Sequence, residues 1–440
     1  MAEFLPFRGV TYNSIIIGNL ADVIAPPYDV ISPREQEAFY LRHPQNVIRL
    51  ILGKTQPGDN GHKNVYTRSA DYLNQWLNDD ILVRDDQPGF YLTAVTFNTS
   101  GVSITRYGII GVVRLEPFEK GIILPHERTF SKVKSEQFQL MKSCHANFNP
   151  VFSLYSDENG TFEYMRSVVQ NVPAAVDLLD GDGFRQQLWP IRDQKSTDFV
   201  TRSIHGQRAY IADGHHRYET ALNFMNWVKE NDPSYSPTHP ANFVMMNLVS
   251  MKDPGLLILP AHRLLKDVSS EAQQRMLKLA ADYFEIHSFP TDQSVDNALQ
   301  QASELQNARS EAHAIGLYMK ANKAIYVLVL KPGTMERLFG TEMPTSLLDI
   351  DVTVLTRLLM MELLGFDQQR LDDETKIAYC TTAEGAVEAV QNGEADMTFI
   401  LNATKIEQVQ RISEEGLIMP RKSTYFYPKL ISGQVINILK

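Results

Sequence analysis

The run Tyr210-Ile211-Ala212-Asp213-Gly214-His215-His216-Arg217-Tyr218-Glu219 constrains this chain more than any other stretch. Ala209 to Ala212 is apolar and reads as a short buried strand. Asp213-Gly214 forces a tight turn, and from Tyr218 the apolar residues Ala221, Leu222, Met225 and Val228 recur at helical spacing. Two histidines and an arginine therefore stand at or beside the N-terminus of a helix that leaves a strand. Free N–H groups and the helix dipole attract an anion there, and arginine adds a bidentate clamp. Asp213 also fits an N-cap, with His-His-Arg as a solvated first turn. Cations at the positive end of the dipole are unfavourable unless an anion joins them, however, so the turn is expected to bind phosphate through Gly214, His215, His216 and Arg217.

The bulk numbers narrow the partners. A chain of 440 residues is long enough for two or three domains, and 43% hydrophobic content fits a globular protein. The formal charge of −10, with no basic run longer than Arg421-Lys422, argues against nucleic acid, whose binders need phosphate-neutralising stripes. No apolar run approaches a membrane span, and Met1 to Val10 lacks the charged and apolar regions of a signal peptide. The two cysteines, Cys144 and Cys380, make no disulfide framework or metal spacing and read as buried small hydrophobes. A cytoplasmic setting without membrane contact is expected. Gly-x-Gly-x-x-Gly after a strand, a Walker A pattern and Gly-x-Ser-x-Gly are all absent, so any nucleotide is held outside a P-loop.

The organisation reads as mixed α/β or α+β. Ser32-Pro33 followed by Glu35 predicts an N-cap with Pro at N1 and a helix to about Arg42, and Gly61 to Asp80 predicts a second helix. From Phe90 the period becomes two. Phe90 to Phe97 and Ser103 to Leu115 flank Asn98-Thr99-Ser100-Gly101 as a hairpin, and Phe148 to Tyr155 is another strand. Asp232 to Pro240 reads as a loop or boundary. Met245 to Met251 and Leu256 to Leu259 read as strands, followed by helices that include Ser270 to Phe284 and Asp349 to Leu364. Residues 377–401 then read as a strand, helix and strand in a βαβ-like unit. The expected domains are 1–240, containing the β-rich segment of about 90–155 and the phosphate turn, and 241–440, an α/β region that completes the site or mediates assembly.

Other segments offer chemistry. In Pro125-His126-Glu127-Arg128-Thr129 a carboxylate is flanked by His and Arg, which suits a general base or an ion-pair centre. It is not a zinc motif, because Phe130 stands where H-E-x-x-H needs its second His. Tyr28 and Asp29 lie in a loop before a helix, where Asp29 also fits an Asx-type turn. Arg421, Lys422, Ser423 and Thr424 could hold a phosphate or carboxylate, whereas Tyr425-Phe426-Tyr427-Pro428 suits the core. His262-Arg263 is a weaker version of the same idea.

The segment Ile211 to Leu222 resembles the signature of the DUF1015 family, which is related to the ParB/sulfiredoxin superfamily and its free-serine kinases. Pro26 to Ile31, Pro125 to Thr129, Asn149 to Asp157, Pro260 to Arg263 and Met419 to Leu430 carry the same resemblance, which so spans nearly the whole chain. It implies a ParB/sulfiredoxin-like nucleotide-binding core with a β-rich insertion and a C-terminal α/β region. It also implies phosphate binding by the His-His-Arg turn, with His126 and Arg128 beside it and Tyr28 or Asp29 near the nucleotide. Catalytic carboxylates would be Glu127 or Asp213, with Asp213 a candidate Mg²⁺ ligand. The implied activity is nucleotide-dependent phosphoryl transfer, with ATP or ADP, to a small hydroxylated metabolite, most plausibly free L-serine, or the reverse from phosphoserine. A homodimer is compatible. The alternative is a nucleotide-binding switch module without metabolite kinase activity. Sulfiredoxin-like redox repair needs a Cys beside the turn, where this chain has His215 and His216.

Overall fold

A computed structural model of the chain describes residues 2–99, 101–128, 131–319 and 322–440, and the side chains of 131–134 are not part of that description. Ser100 of the expected hairpin turn, and Thr129 and Phe130 beside Glu127, therefore lie outside the described residues. The architecture is mixed α/β, and the chain divides into two units: Met1–Leu257 with Pro428–Lys440, and Ile258–Tyr427. The last segment thus returns to the first unit, and the stretch after residue 240 contributes an interior strand to it.

The first unit is built on one mixed sheet. Its strands are β1 (Phe4–Leu5), β2 (Phe90–Thr99), β3 (Val102–Arg114), β4 (Ile123–Leu124), β5 (Val151–Tyr155), β6 (Val176–Leu179), β7 (Arg185–Ile191), β8 (Ala209–Asp213) and β9 (Phe243–Ser250). They lie in the order β4-β8-β5-β9-β3-β2-β7-β6, with β1 on β3. The expected hairpin is β2–β3, antiparallel from Tyr91↔Ile110 to Thr99↔Val102. Strand alternation gives the sheet two unlike faces. Phe90, Leu92, Ala94, Ile109, Val113, Trp189, Val244, Met246 and Leu248 join the main apolar core together with helix residues Tyr218, Ala221, Phe224 and Val228. The other face carries Tyr91, Ile110, Val112, Leu188 and Met245 against Phe7 and Val435, and a group of buried polar side chains between them.

The helices follow their sequence signals. Helix α1 (Pro33–Arg42) starts at Ser32 with a complete capping box to Glu35 and Pro at its start. Helix α2 (Val65–Asn78) starts from Asn64, whose side chain accepts from the N–H groups of Tyr66 and Thr67. Helix α3 (Ser131–Cys144) packs on the helix after β8 through its C-terminal half. Cys144 is buried, whereas Cys380 is only partly so.

The second unit differs from its expectation. Besides β10 (His262–Leu265) it contains β11 (Phe284–Pro290), β12 (Ala314–Met319) and β13 (Ala324–Leu330), with β14 (Ile377–Cys380) and β15 (Met397–Ile400), in the order β11-β13-β12-β15-β10-β14. The helix read as Ser270 to Phe284 ends at Ala280, and Phe284 opens β11. The region read as a run of helices holds an antiparallel meander. Strands β12 and β13 are buried on both faces, with Ile315, Leu317 and Leu328 in one cluster and Tyr318, Ile325 and Val327 in another. They read as continuous apolar runs, and such runs have no period that separates strand from helix. The expected βαβ-like unit is present in split form: β10 pairs antiparallel with both β14 and β15 and lies between them. Residues 354–363 form a π-helix after a short α turn at 351–353.

One buried carboxylate joins strand and helix in the first unit. Asp157, at positive φ and almost fully buried, follows β5 and accepts from the N–H groups of Thr161 (2.7 Å) and Phe162 (3.2 Å) at the start of helix α4 (Thr161–Val169). It also accepts from Ser250 Oγ at the end of β9 (3.1 Å). Replacing Asp157 by Ala leaves these donors buried without an acceptor. Such a change should lower unfolding free energy by about 2 kcal/mol, read as a shift of the denaturant midpoint, whereas Asp157→Asn should recover part of the loss.

Candidate functional site

The two motifs meet because their strands run side by side. Strand β8 pairs parallel with β4, Ala209 opposite Ile123 and Tyr210 opposite Leu124, so both chains leave the sheet at the same edge. One continues as Asp213-Gly214-His215, the other as Pro125-His126-Glu127. On its other side β8 pairs antiparallel with β5, with an irregularity between Ile211 and Asp213 that sets Asp213 opposite Phe152.

Gly214 begins helix α5 (His215–Asn231) in the left-handed region, φ 94°. A Cβ there would stand 2.8 Å from the Arg217 guanidinium, so glycine serves both the turn and the close approach of that side chain. Asp213 is not the cap: the helix start has no side-chain cap and no acidic residue in its first turn. The Asp213 carboxylate instead receives Arg217 Nη2 on Oδ2 and Lys429 Nζ on Oδ1, while Arg217 Nη1 donates to the Pro150 carbonyl. Burial alone would raise the Asp213 carboxyl, but the Lys429 and Arg217 charges hold it well below the usual carboxylate range. Two cations thus surround one carboxylate beneath an uncapped helix N-terminus. Such a helix start leaves its first-turn N–H groups to other acceptors.

The two buried histidines, His126 and His215, are held neutral. The His215 side chain, 3% exposed, accepts from the His126 N–H at Nε2 (3.3 Å) and turns Nδ1 toward Glu127 Oε2 at 3.8 Å. This assigns the proton to Nδ1. Burial, with His126 next to it, pushes His215 well below the ordinary histidine value. His126 is fully buried, its ring edge-on to His215 at 4.8 Å, and burial pushes it down to about 4 despite a hydrogen bond with the Ile211 backbone. His216 and Glu127 are partly exposed, and Arg128 is exposed. Tyr28, in a short 3-10 turn with exposed Asp29, lies within electrostatic reach of Arg217 and Asp213, and burial drives its phenol above the ordinary value.

Arg421 to Thr424 belong to the second unit. There Arg421 faces Asp372 and Glu374 (3.5 and 3.1 Å), Ser423 Oγ donates to the Pro420 carbonyl (2.6 Å) and Thr404 Oγ1 donates to the Ser423 carbonyl (2.6 Å). Buried Arg263 Nη2 donates to the carbonyls of Arg421 and Lys422, both at 3.0 Å. These contacts order a loop within that unit. The cation that does reach Asp213 is Lys429, at the end of the same sequence motif and already in the first unit. Its position one residue after Pro428 gave no local signal.

Asp213 does not fit a magnesium ligand in this arrangement, since each oxygen already holds a cation. Among the described residues no group of three His, Cys, Asp or Glu side chains could hold a metal. No step below is routed through a protein-held metal.

The buried histidines make stability pH-dependent. His126 binds a proton near 6.5 when unfolded but only near 4 when folded, so its contribution is intact above pH 6.5 and is lost as pH falls toward 4. The expected loss from this group is roughly 3 kcal/mol. Denaturant midpoints measured from pH 7 to pH 4 should fall steeply for the native chain and less steeply for His126→Gln; equal slopes would remove His126 from the account.

Comparison with known proteins shows the family. The family described as "Protein of unknown function (DUF1015)" matches residues 4–353. No curated protein matches the chain. Among solved structures, the chain is similar to a free serine kinase in complex with AMP (14% identity, TM-score 0.35, covering 72% of this chain and 89% of that one). It is also similar to a conserved hypothetical protein from Pyrococcus furiosus (14%, 0.33, 72% and 92%) and to C-terminally truncated SbnI from Staphylococcus aureus (9%, 0.34, 74% and 86%). The match over residues 4–353 is the decisive one: the chain belongs to the DUF1015 family.

Proposed function

We propose that the chain is a nucleotide-dependent phosphotransferase acting on a small hydroxylated metabolite, with free L-serine as the first acceptor to try. The observation that carries this reading is the pair of cations, Arg217 and Lys429, gathered with an uncapped helix start around a single carboxylate. One excess positive charge and a helix dipole at one buried point favour a phosphate group. Phosphoryl transfer asks mainly for positioning and charge neutralisation, which such a turn supplies. Serine, and ATP or ADP as donor, come from the resemblance of the Ile211 to Leu222 motif to that of free-serine kinases.

In this reading the acceptor hydroxyl oxygen forms the new P–O bond, the bridging P–O bond to the nucleotide breaks, and the hydroxyl proton passes to a carboxylate. What favours Glu127 over Asp213 as that base is its exposure and its neighbour. Both Asp213 oxygens are ion-paired, whereas Glu127 is a third exposed and faces the Nδ1–H side of a buried, neutral His215. His215 then positions Glu127, and His126 positions His215 through its N–H.

The test is a ³¹P NMR time course with L-serine and ATP or ADP, with and without Mg²⁺, run beside phosphoserine plus ADP. A new phosphomonoester peak, or its loss in the reverse mixture, is the expected result. Inorganic phosphate alone, or no change, would reject the phosphotransferase reading and leave a nucleotide switch. Glu127→Gln should lower turnover by about 100-fold with the fold intact, because general-base contributions are of that order.

A further inference from the structure

A cavity of about 290 Å³ lies in the first unit between helix α1, the short helix Ile48–Ile51 and helix α2. Tyr40 comes from α1, Arg49 from the short helix, Lys54 from the connection after it, and Val65, Arg68 and Tyr72 from α2. Asp213, Arg217 and Lys429 do not line it. Its walls combine aromatic and apolar surface with a few convergent polar groups, the composition of a small-molecule site, and it has room for more than a bare ion.

The charges around this cavity do not balance. Both terminal nitrogens of Arg68 are on Asp59, at 2.5 and 3.0 Å, and Lys54 Nζ is on Glu37 at 2.5 Å. Among the described residues Arg49 has no carboxylate. Its one hydrogen bond runs from Nη2 to the Tyr40 carbonyl at 3.0 Å, and its Nε is buried without an acceptor. The guanidinium lies over the Tyr40 ring at 4.3 Å and 5.9 Å from the Tyr72 ring, contacts that hold it in place without cancelling its charge. Nη1 therefore keeps its donors. The Tyr40 hydroxyl is in a similar state: its oxygen accepts from the Lys54 N–H at 3.0 Å, and its own O–H has no acceptor among the described residues. Burial raises this phenol above its ordinary value, so it stays a donor at neutral pH. The start of α2, at Val65, adds the positive end of a helix dipole.

We propose that this cavity binds a small organic carboxylate, with the carboxylate oxygens on Arg49 Nη1 and the Tyr40 hydroxyl and the apolar remainder against Val65 and Tyr72. One unmatched cation calls for one negative charge, which a carboxylate carries and a phosphate monoester exceeds. Lys54 and Arg68 keep Glu37 and Asp59 and contribute only their field. The site is separate from the phosphate turn and stands whether or not the chain transfers phosphoryl groups.

Saturation-transfer NMR titrations on the full chain test this with benzoate, with benzamide, its uncharged analogue, and with phenyl phosphate. Benzoate should bind, benzamide at least about tenfold more weakly, the scale of one charge-assisted hydrogen bond, and phenyl phosphate no more tightly than benzoate. Tyr40→Phe keeps the ring under Arg49 and removes the hydroxyl, and it should weaken benzoate about tenfold. Arg49→Gln should abolish benzoate binding. Benzamide binding as tightly as benzoate, no benzoate binding, or benzoate binding unchanged in Tyr40→Phe would overturn the proposal. Phenyl phosphate binding more tightly than benzoate would overturn the choice of a carboxylate. Tyr40→Phe decides the location even if Arg49→Gln fails to fold.

Discussion

Asp213 sits where three parts of the first unit have to agree. It ends β8, its Oδ2 takes Arg217 from the first turn of α5, and its Oδ1 takes Lys429 from the segment that returns after the second unit. Removing one partner from a buried pair of this kind typically costs about 3–5 kcal/mol, because the remaining charge is left uncompensated. The same carboxylate therefore fixes the turn and anchors the returning segment, which Asn149 and Ala25 also hold through Ser432. A chain that stopped before Pro428 would leave the turn with one cation fewer and the polar face of the sheet without its cover.

The charge arrangement also explains why the buried histidines stay neutral. Cations at a helix N-terminus oppose the dipole, and Lys429 and Arg217 already occupy that region. A protonated His215 or His126 would add a third and fourth positive charge in a place where desolvation already disfavours any charge, and both are pushed down accordingly. Neutral His215 can then accept one backbone N–H and present its own N–H toward Glu127. The positive charge at the turn is left to Arg217, Lys429 and the helix N-terminus.

Much of this was legible in local sequence, and the exceptions have physical causes. The strand–turn–helix at 209–231, the capped helix at 33–42 and the hairpin at 90–114 carry period, cap or turn residues that act within a few positions, and the structure has all three. The strands at 314–319 and 324–330 were hidden because apolar residues cover both of their faces, which removes the alternation that marks a strand. Lys429 and Arg106 were hidden for another reason. What makes each important is a partner supplied by tertiary contact, Asp213 more than two hundred residues before Lys429 and Phe152 across the sheet from Arg106. Arg421 to Thr424 show the converse: a polar cluster that looks like a binding site in sequence and, once folded, makes contacts within its own unit through Arg263, Asp372 and Glu374.

Period-two alternation places the residues of β2, β3, β7 and β9 on two faces with opposite demands. The face under α5 is mostly apolar, and its core positions could be filled by many hydrophobic sets of the right volume. The other face keeps Thr93, Arg106, Gln186 and Asn247 buried side by side on four strands, with glycine at 108 as the one residue that lets the amide lie flat. Apolar side chains at these positions would satisfy the core at lower cost, since burying an arginine is among the more expensive choices a sheet can make. The buried polar side chains of these four strands thus gather mainly on the second face, where Lys429 of the returning segment also lies.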